Sequence, residues 1–555
     1  VLARMSAHYN KRKKELSHLQ SSPYFIRCDV VYENSEEGQT LYFGKFLFSD
    51  ESVYSWITPA AVIRFEQPGD ISYIRPDGNI QKGKLIRKDQ YMIVGGKIIF
   101  LASETIKSPR ELIYQEYFSN RKTDFILPEI VEQMEKTQDK VIRAHHVGPF
   151  AISGPAGSGK TTLALHRVAY LAQSPDTNSL YPPNSIIVFV QDNGTKNYFS
   201  RLLPELGINN VKITTFFEWA TDILGIENIF HVARYGKTEN EKDNYEYQKK
   251  LALKNARDLK YSEDIFSCLD NIYKKYADNF DSDLFEKQTK EKSLDRFDLI
   301  ILLKAHIQTY GELKIQQEFY QELKNGKFKK KTEKIPVNYS LIVVDEFQNY
   351  LADQLKLLKN LTKKDLTSIL YVGDMAQQIY LGTIRGWDEI NEKISQERLV
   401  TLEKVYRNTK NILEYIQQLG YKIQIPKEIK EGAQVVEKIF AGQIEEITYI
   451  KQLIKKSEQK IIGVLSKDEE YLEIFKKEFH KFTNIHIFSM RESQGVEFDI
   501  VCIVGINKNM FAIDIDNQYL REEKKRINSD LLYVALTRAM SELHLLGGVR
   551  LSEIV

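Results

Sequence analysis

At 555 residues the chain is long enough for roughly three or four domains, and its 42% apolar and 28% charged content is ordinary for a soluble globular protein. A formal net charge of +2 excludes a global cationic field, so any nucleic-acid contact must come from local patches. Cys28, Cys268 and Cys502 lie far apart without metal or redox spacing, which points to a reduced, cytoplasmic setting, and no apolar stretch approaches membrane-spanning length or resembles a signal peptide.

In chain order, residues 1–21 read as a short charged helix, with Lys11-Arg12-Lys13-Lys14 on a solvated face. The chain opens at Val1 rather than Met, which leaves its natural N-terminus an open question. Residues 22–105 alternate aromatic and β-branched residues with turn signals such as Pro76-Asp77-Gly78-Asn79, the pattern of a compact β-rich module. Residues 106–147 read as helical, and 150–220 as strand, helix, strand. A charged, mostly helical stretch follows to about residue 335. It ends in the basic run Lys324-Asn325-Gly326-Lys327-Phe328-Lys329-Lys330-Lys331, read as a solvated loop within reach of nucleic acid. Short apolar strands return at 341–345, 368–373, 399–402, 460–465, 485–489 and 500–505. Their alternation with helices predicts parallel α/β sheets.

The strongest chemical signal is Gly154-Pro155-Ala156-Gly157-Ser158-Gly159-Lys160-Thr161-Thr162, set between an apolar strand and a helical pattern. That context is a phosphate-binding loop: Gly154, Gly157 and Gly159 let successive N–H groups turn toward one anion, and the helix N-terminus adds partial positive charge. Ala156, Ser158 and Thr162 complete the loop, Lys160 reaches the outer phosphates, and the Thr161 hydroxyl holds Mg²⁺. Leu341-Ile342-Val343-Val344-Asp345-Glu346-Phe347-Gln348 places two acids at the C-terminal tip of a buried strand, Asp345 for Mg²⁺ and Glu346 for the attacking water. A second such tip, Gly373-Asp374-Met375-Ala376-Gln377, offers the Gln377 amide to a γ-phosphate. Arg407 and Arg538 are candidates for the guanidinium that spreads transition-state charge, although each taken alone reads first as a surface ion pair. Glu497, in Gln494-Gly495-Val496-Glu497-Phe498-Asp499, suits a ribose hydroxyl.

Taken in order, the phosphate loop, D-E-x-Q, G-D-x-x-Q, Y-R, Q-G-x-E-F-D and V-A-L-T-R-A resemble the motif set of superfamily 1 helicases of the UvrD/Rep type, over about residues 125–547. The resemblance implies an α/β fold of two RecA-like P-loop domains with ATP and Mg²⁺ between them. It implies Lys160, Glu346, Gln377, Arg407 and Arg538 as the catalytic set and Glu497 as the ribose ligand. The implied layout is a β-rich module at 22–105, a first RecA-like domain at 106–220 and 336–388, a helical insertion at 221–335, and a second RecA-like domain at 389–555. The implied activity is ATP-driven 3′→5′ movement on single-stranded DNA.

The HelD branch, which includes helicase IV and RNA-polymerase-recycling ATPases, is similar over three further stretches. One is Ile130 to Arg143, which makes Gln138 the adenine-reading glutamine; the others are Ala164 to Leu171 and Leu203 to Gly207. That likeness implies the alternative of an ATP-gated remodeller acting on RNA polymerase or another protein complex. A helicase component of a bacterial defence or repair system is a third reading. Fewer than about 90 residues separate Arg407 from Gln494, little more than one half-core, so the large UvrD insertion is expected to be absent. The usual DNA-stacking aromatics are also altered, with Val190 and Gln191 at one position. Tyr380 and Trp387 are left as candidate platforms, each worth roughly 1–3 kcal/mol per stacked base.

Overall fold

A computed structural model describes residues 13, 16–17, 19–20, 22–33, 35, 37–48, 52–105, 136–155, 158–322, 328–402, 408–423, 425, 429–457, 460–513, 515 and 517–555. Most of the expected N-terminal helix, the helical stretch before residue 136, Ala156, Gly157, Lys324 to Lys327 and Arg407 lie outside the described residues. The chain divides into two compact units. One comprises Val1–Val147, Thr162–Val188 and Asp192–Ile213; the other comprises Gly148–Thr161, Phe189–Gln191 and Thr214–Val555.

The first unit contains the β-rich module. Its strands are β1 (Ile26–Tyr32), β2 (Gln39–Gly44), β3 (Val53–Ser55), β4 (Gly69–Ile74), β5 (Ile80–Val94) and β6 (Lys97–Thr105), ordered β3-β2-β1-β5-β4 with β6 on β5. Ile26, Cys28 and Val30 alternate into its core, as a half-buried strand requires. Helix α1 (Lys136–Arg143) is pinned to the module by Arg143, which donates to the Trp56 and Ile57 carbonyls at 2.8 and 3.0 Å and to Asp139 at 2.8 Å. The buried Trp56 ring lies 5.7 Å from the His166 ring.

Next come β7 (Pro149–Ser153), α2 (Lys160–Gln173), β8 (Ile186–Val190), α3 (Asn193–Glu205), β9 (Lys212–Thr215) and α4 (Phe216–Leu224). Thr215 opens α4 with a capping box, its hydroxyl accepting from Glu218 N–H, and Gly225 closes it in the left-handed region. After the short strand β10 (Phe230–His231), the insertion packs α5 (Glu239–Asn255), α6 (Ile265–Tyr276), α7 (Ser282–Lys290), the two-residue β11 (Ser293–Leu294) and α8 (Arg296–Tyr310). Lys249 is wholly buried there but neutralised by Asp295 at 2.7 Å and Asp298 at 2.8 Å. The stretch expected to be mostly helical does not stay helical to its end. Residues 314–336 form an antiparallel ribbon, β12 (Lys314–Glu322) and β13 (Phe328–Pro336), so the described part of the basic run is strand rather than loop.

Strands β14 (Leu341–Asp345), β15 (Ile369–Gly373) and β16 (Leu399–Thr401), with helix α9 (Ala352–Lys359), return to the first parallel sheet, ordered β16-β7-β15-β14-β8-β9. Every residue of β14 and β15 is buried, as a sheet covered on both faces demands. The register pairs Asp345 with Val372 and Gly373 with Ser153, so the polar tips of β7, β14 and β15 end at one level. The expected domain boundary at residue 388 falls too early, because β16 pairs in parallel with β7. The second parallel sheet uses β17 (Val436–Ile439), β18 (Ile462–Ser466), β19 (Ile485–Ser489), β20 (Phe498–Ile506) and β21 (Ala539–Gly547), ordered β17-β21-β20-β18-β19. Helices α10 (Lys410–Gln418), α11 (Gln443–Lys456), α12 (Glu469–Phe479) and α13 (Gln518–Thr537) accompany it. The architecture is α/β with two parallel sheets, consistent with two RecA-like domains and an N-terminal β-rich module. Ile379 and Leu381, from the loop after β15, are buried in the same core as Leu532, Val534 and Leu536 of α13.

Candidate functional site

The site is built on the strand tips of the first parallel sheet, within the second unit. After β7 the chain turns at Gly154, whose φ is +152°; a Cβ there would stand 2.5 Å from the Leu402 carbonyl oxygen, so only glycine fits. Gly159 also has positive φ, +83°, immediately before α2. Lys160 is 6% exposed and donates to the Pro155 carbonyl at 2.9 Å, so its ammonium lies over the loop. The Ser158 hydroxyl is buried and has no hydrogen-bond partner among the described residues. An orphaned buried hydroxyl in a glycine-bent loop beside a buried ammonium fits a phosphate group.

Thr161 donates its hydroxyl to Asp345 at 3.1 Å, bringing the loop and the tip of β14 together. Burial, with Glu346 as its neighbour, holds the Asp345 carboxyl well above the ordinary carboxylate range. A hydroxyl and a carboxylate so placed fit Mg²⁺, whose charge would return the carboxyl to its ionised form. Glu346 sits in the left-handed region at φ +49°, a conformation uncommon outside glycine. Its carboxylate accepts from the Gln348 side-chain amide at 2.6 Å.

Gln348 is a functional candidate that sequence reasoning did not single out, although it is the last letter of D-E-x-Q. It is fully buried and its Oε1 accepts the Asp374 backbone N–H at 3.0 Å, so one amide ties the acid tip of β14 to the tip of β15. A Cβ on Gly373 would fall 2.0 Å from that same oxygen. Asp374 takes the Gln377 amide at 2.7 Å and the Ala376 N–H at 2.9 Å, which fixes Gln377 in a buried position. Burial raises the Asp374 carboxyl, and the Lys160 charge pulls it back.

Residues of the second sheet's half reach the same loop. Asp530 on α13 accepts the Gln378 N–H at 3.1 Å, and Arg526 donates to the Gln378 carbonyl and side chain, both at 2.9 Å. Burial pushes Asp530 up to about 7. Asn349 donates to Gln494 at 2.9 Å, joining D-E-x-Q to Q-G-x-E-F-D. Arg538, 2% exposed, donates to the Val534 and Val496 carbonyls at 2.9 and 3.3 Å. Asn408, the residue after Arg407, donates to the Thr537 and Ala539 carbonyls on either side of Arg538. Asn408 is therefore bonded to the end of α13 on both sides of Arg538. Glu497 is partly buried one residue before β20, and Gln138 is partly buried on α1 in the first unit. Thr162 accepts the His166 ring at its carbonyl, 2.8 Å away.

The candidate stacking residues are placed differently. The Tyr380 ring lies against two guanidinium groups, Arg296 at 4.8 Å and Arg491 at 5.0 Å. Arg296 is itself anchored to Glu246 at 3.0 Å and the Leu381 carbonyl at 2.7 Å, and Arg491 to the Ile379 carbonyl. Trp387 stacks on Phe347 at 5.0 Å and meets Tyr371 at 5.1 Å. Both rings are held by packing within the protein.

Comparison with known proteins agrees with this arrangement. Residues 138–383 match an AAA domain family, and residues 472–546 match the UvrD-like helicase C-terminal domain. The ATP-dependent DNA helicase PcrA of Staphylococcus epidermidis is 27% identical over 320 residues, covering 51% of this chain and 39% of that protein. PcrA of Bacillus subtilis is 25% identical over 325 residues, covering 54% of this chain and again 39% of the relative. The match thus spans well under half the length of these relatives. The two family matches, in this order on one chain, support membership of the superfamily 1 UvrD/Rep-like helicases.

Proposed function

We propose that the chain is an ATP hydrolase that uses the phosphate-loop site to move 3′→5′ along single-stranded DNA. The observation that carries this reading is the Thr161–Asp345 contact, which joins the phosphate loop to the D-E-x-Q tip in the arrangement that phosphoryl transfer needs. Gly154, Ala156, Gly157, Ser158, Gly159, Lys160 and Thr162 cradle the phosphates of ATP. Thr161 and Asp345 hold Mg²⁺, which supplies charge neutralisation on the phosphate oxygens. Glu346 orients and deprotonates the attacking water, held in place by Gln348. Gln377, Arg407 and Arg538 stabilise charge on the γ-phosphate; for Arg538 this requires release of its bonds to the Val534 and Val496 carbonyls. Gln138 reads adenine and Glu497 the ribose.

Coupling to movement runs through the loop after β15. Gln377 lies at the phosphate end, and its neighbours Gln378 and Ile379 are bonded to Asp530, Arg526 and Arg491 of the other half. A change at the γ-phosphate is therefore felt directly by α13.

The second reading is a HelD-like remodeller of RNA polymerase or another protein complex, working in the cytoplasm as the first would. The packing of Tyr380 and Trp387 against protein groups favours it, because those contacts compete with a stacked base. A strand-displacement assay on duplexes with 3′ or 5′ tails separates the two. Displacement of the 3′-tailed substrate alone supports the helicase. ATP turnover indifferent to DNA, with RNA polymerase retained on the immobilised full chain, supports the remodeller.

A further inference from the structure

The helical insertion and the second sheet's half meet through charges. Glu239, Asp243 and Glu246 share one face of α5, four and three residues apart. Arg234, buried just before the helix, donates to all three: to Glu239 at 2.7 Å, to Glu246 at 2.9 Å and to Asp243. From the other side the buried Lys524 of α13 pairs with the same Asp243 and lies 3.4 Å from Glu239. Arg491, in the loop after β19, comes within 4.0 Å of Glu239, and Lys242 pairs with Glu469 of α12 at 3.3 Å. Against the pull of burial, Arg234, Arg491 and Lys524 hold the Glu239 carboxyl well below the ordinary range. Lys467, after β18, has its ammonium lowered to about 8 by burial and by the Lys524 charge. The cations of the second half are thus crowded together, and the acids of α5 balance them.

Polar interfaces between parts of one chain are the ones that move. When this seam parts, water takes up both members of each ion pair, so no charge is left buried alone. Tyr247 of α5 also packs at the edge of the α13 core, with its hydroxyl accepting from Asn517 at 3.2 Å. What the seam holds is α13. Lys524 lies on the same helix as Arg526 and Asp530, which fix Gln378, and that helix leads into Arg538, engaged with the Val534 and Val496 carbonyls. We propose that the insertion is a brake on the ATP site: α5, latched through Glu239 and Asp243 to Lys524, holds α13 in the position that keeps Arg538 turned away from the γ-phosphate. A single strand releases the brake, because its phosphates compete with the α5 acids for Lys524 and Arg491. The proposal rests on the reading of the phosphate loop as a DNA-driven ATP hydrolase and adds the regulation of that site.

Cys28, Cys268 and Cys502 are buried, so the exposed changes Lys290→Cys on α7 and Lys476→Cys on α12 give a parent protein that takes a pair of energy-transfer labels. Energy transfer and ATP turnover are measured on the full chain, with and without single-stranded DNA. The variants are Lys524→Met, Lys242→Glu, which sets like charges against Glu469, and Lys242→Glu with Glu469→Lys, which restores that pair. Without DNA, Lys524→Met is expected to lower transfer and raise turnover by about fivefold or more, with a smaller change of the same sign in Lys242→Glu. Both readings return to the parent's in the charge-swapped protein, and DNA lowers transfer in the parent as Lys524→Met does. Unchanged transfer in both single variants overturns the latch, and lowered transfer without raised turnover overturns the brake. Where Lys524→Met fails to fold, Lys242→Glu and its charge swap carry the decision. A parent that ignores DNA in both readings, beside single variants that still turn over ATP faster, upholds the brake and rejects the single-stranded DNA reading instead.

Discussion

The loop from Asp374 to Trp387 has two ends, and they are finished to different degrees. At the phosphate end the polar groups are electrostatically incomplete. The Ser158 hydroxyl is buried without a partner among the described residues, and Asp345 and Asp374 are held above the ordinary carboxylate range by burial. At the aromatic end the groups have partners: Tyr380 lies beside Arg296 and Arg491, and Trp387 is stacked on Phe347. Buried polar groups left short of partners mark a place where a ligand supplies the balance. An aromatic ring packed against cations of its own protein marks a joint between elements. The comparison separates a site whose buried polar groups fit the phosphates of a ligand from two aromatic positions engaged in packing within the protein.

The largest expected effect tests the incomplete end. Glu346→Gln should lower ATP turnover by about 10²–10⁴-fold while ATP still binds, measured by steady-state hydrolysis beside a binding titration. Turnover near wild type would remove Glu346 from the chemistry. Next, Gly373→Ala should drive a methyl into Gln348 and destabilise the fold by about 1–3 kcal/mol, with ATP affinity falling in parallel. A variant as stable as the parent would show that the Gln348 bridge is not a constraint.

Tyr380→Ala tests the aromatic end. Taking the ring away from its two guanidinium partners should cost about 0.5–2 kcal/mol of stability, read by thermal unfolding, with single-stranded DNA affinity little changed. The opposite pattern, full stability with DNA affinity lowered by the roughly 1–3 kcal/mol of one base stack, would make Tyr380 a platform after all.

The smallest effect is a pH dependence. Burial raises Asp530 from 3.8 to about 7, so between those values the folded chain holds a proton that the unfolded chain releases. The stability associated with Asp530 is therefore present below about pH 4 and lost as pH rises toward 7. Melting temperatures at pH 5 and pH 8 should differ by less in Asp530→Asn than in the parent, by roughly 2 °C. An identical difference in both proteins would remove Asp530 from the pH response.

The phosphate loop and the two acids at the tip of β14 are legible in the sequence because each is a contiguous run whose neighbours dictate strand, turn and helix. The six later strands are legible for the same reason, and β14, β15 and β18 are buried along their whole length. The Gln348 bridge is not legible: its meaning lies in meeting Asp374, 26 residues on, across two strand tips. Tyr380 and Trp387 could be proposed as platforms from sequence, but whether a ring is stacked by a base or by an arginine is a tertiary fact. The ribbon at 314–336 is hidden by its own composition, since Lys329-Lys330-Lys331-Thr332-Glu333-Lys334 has no apolar alternation to announce a strand. The membership of β16 in the first sheet is likewise set by pairing with β7 rather than by local sequence.

The central claim is that the Thr161–Asp345 site hydrolyses ATP in response to single-stranded DNA. Its most direct test is steady-state ATP hydrolysis by the full chain with Mg²⁺, with and without single-stranded DNA, beside Lys160→Ala. The account predicts turnover that rises with DNA and is abolished in Lys160→Ala. Turnover equal in the two proteins, under saturating ATP and DNA, would contradict it.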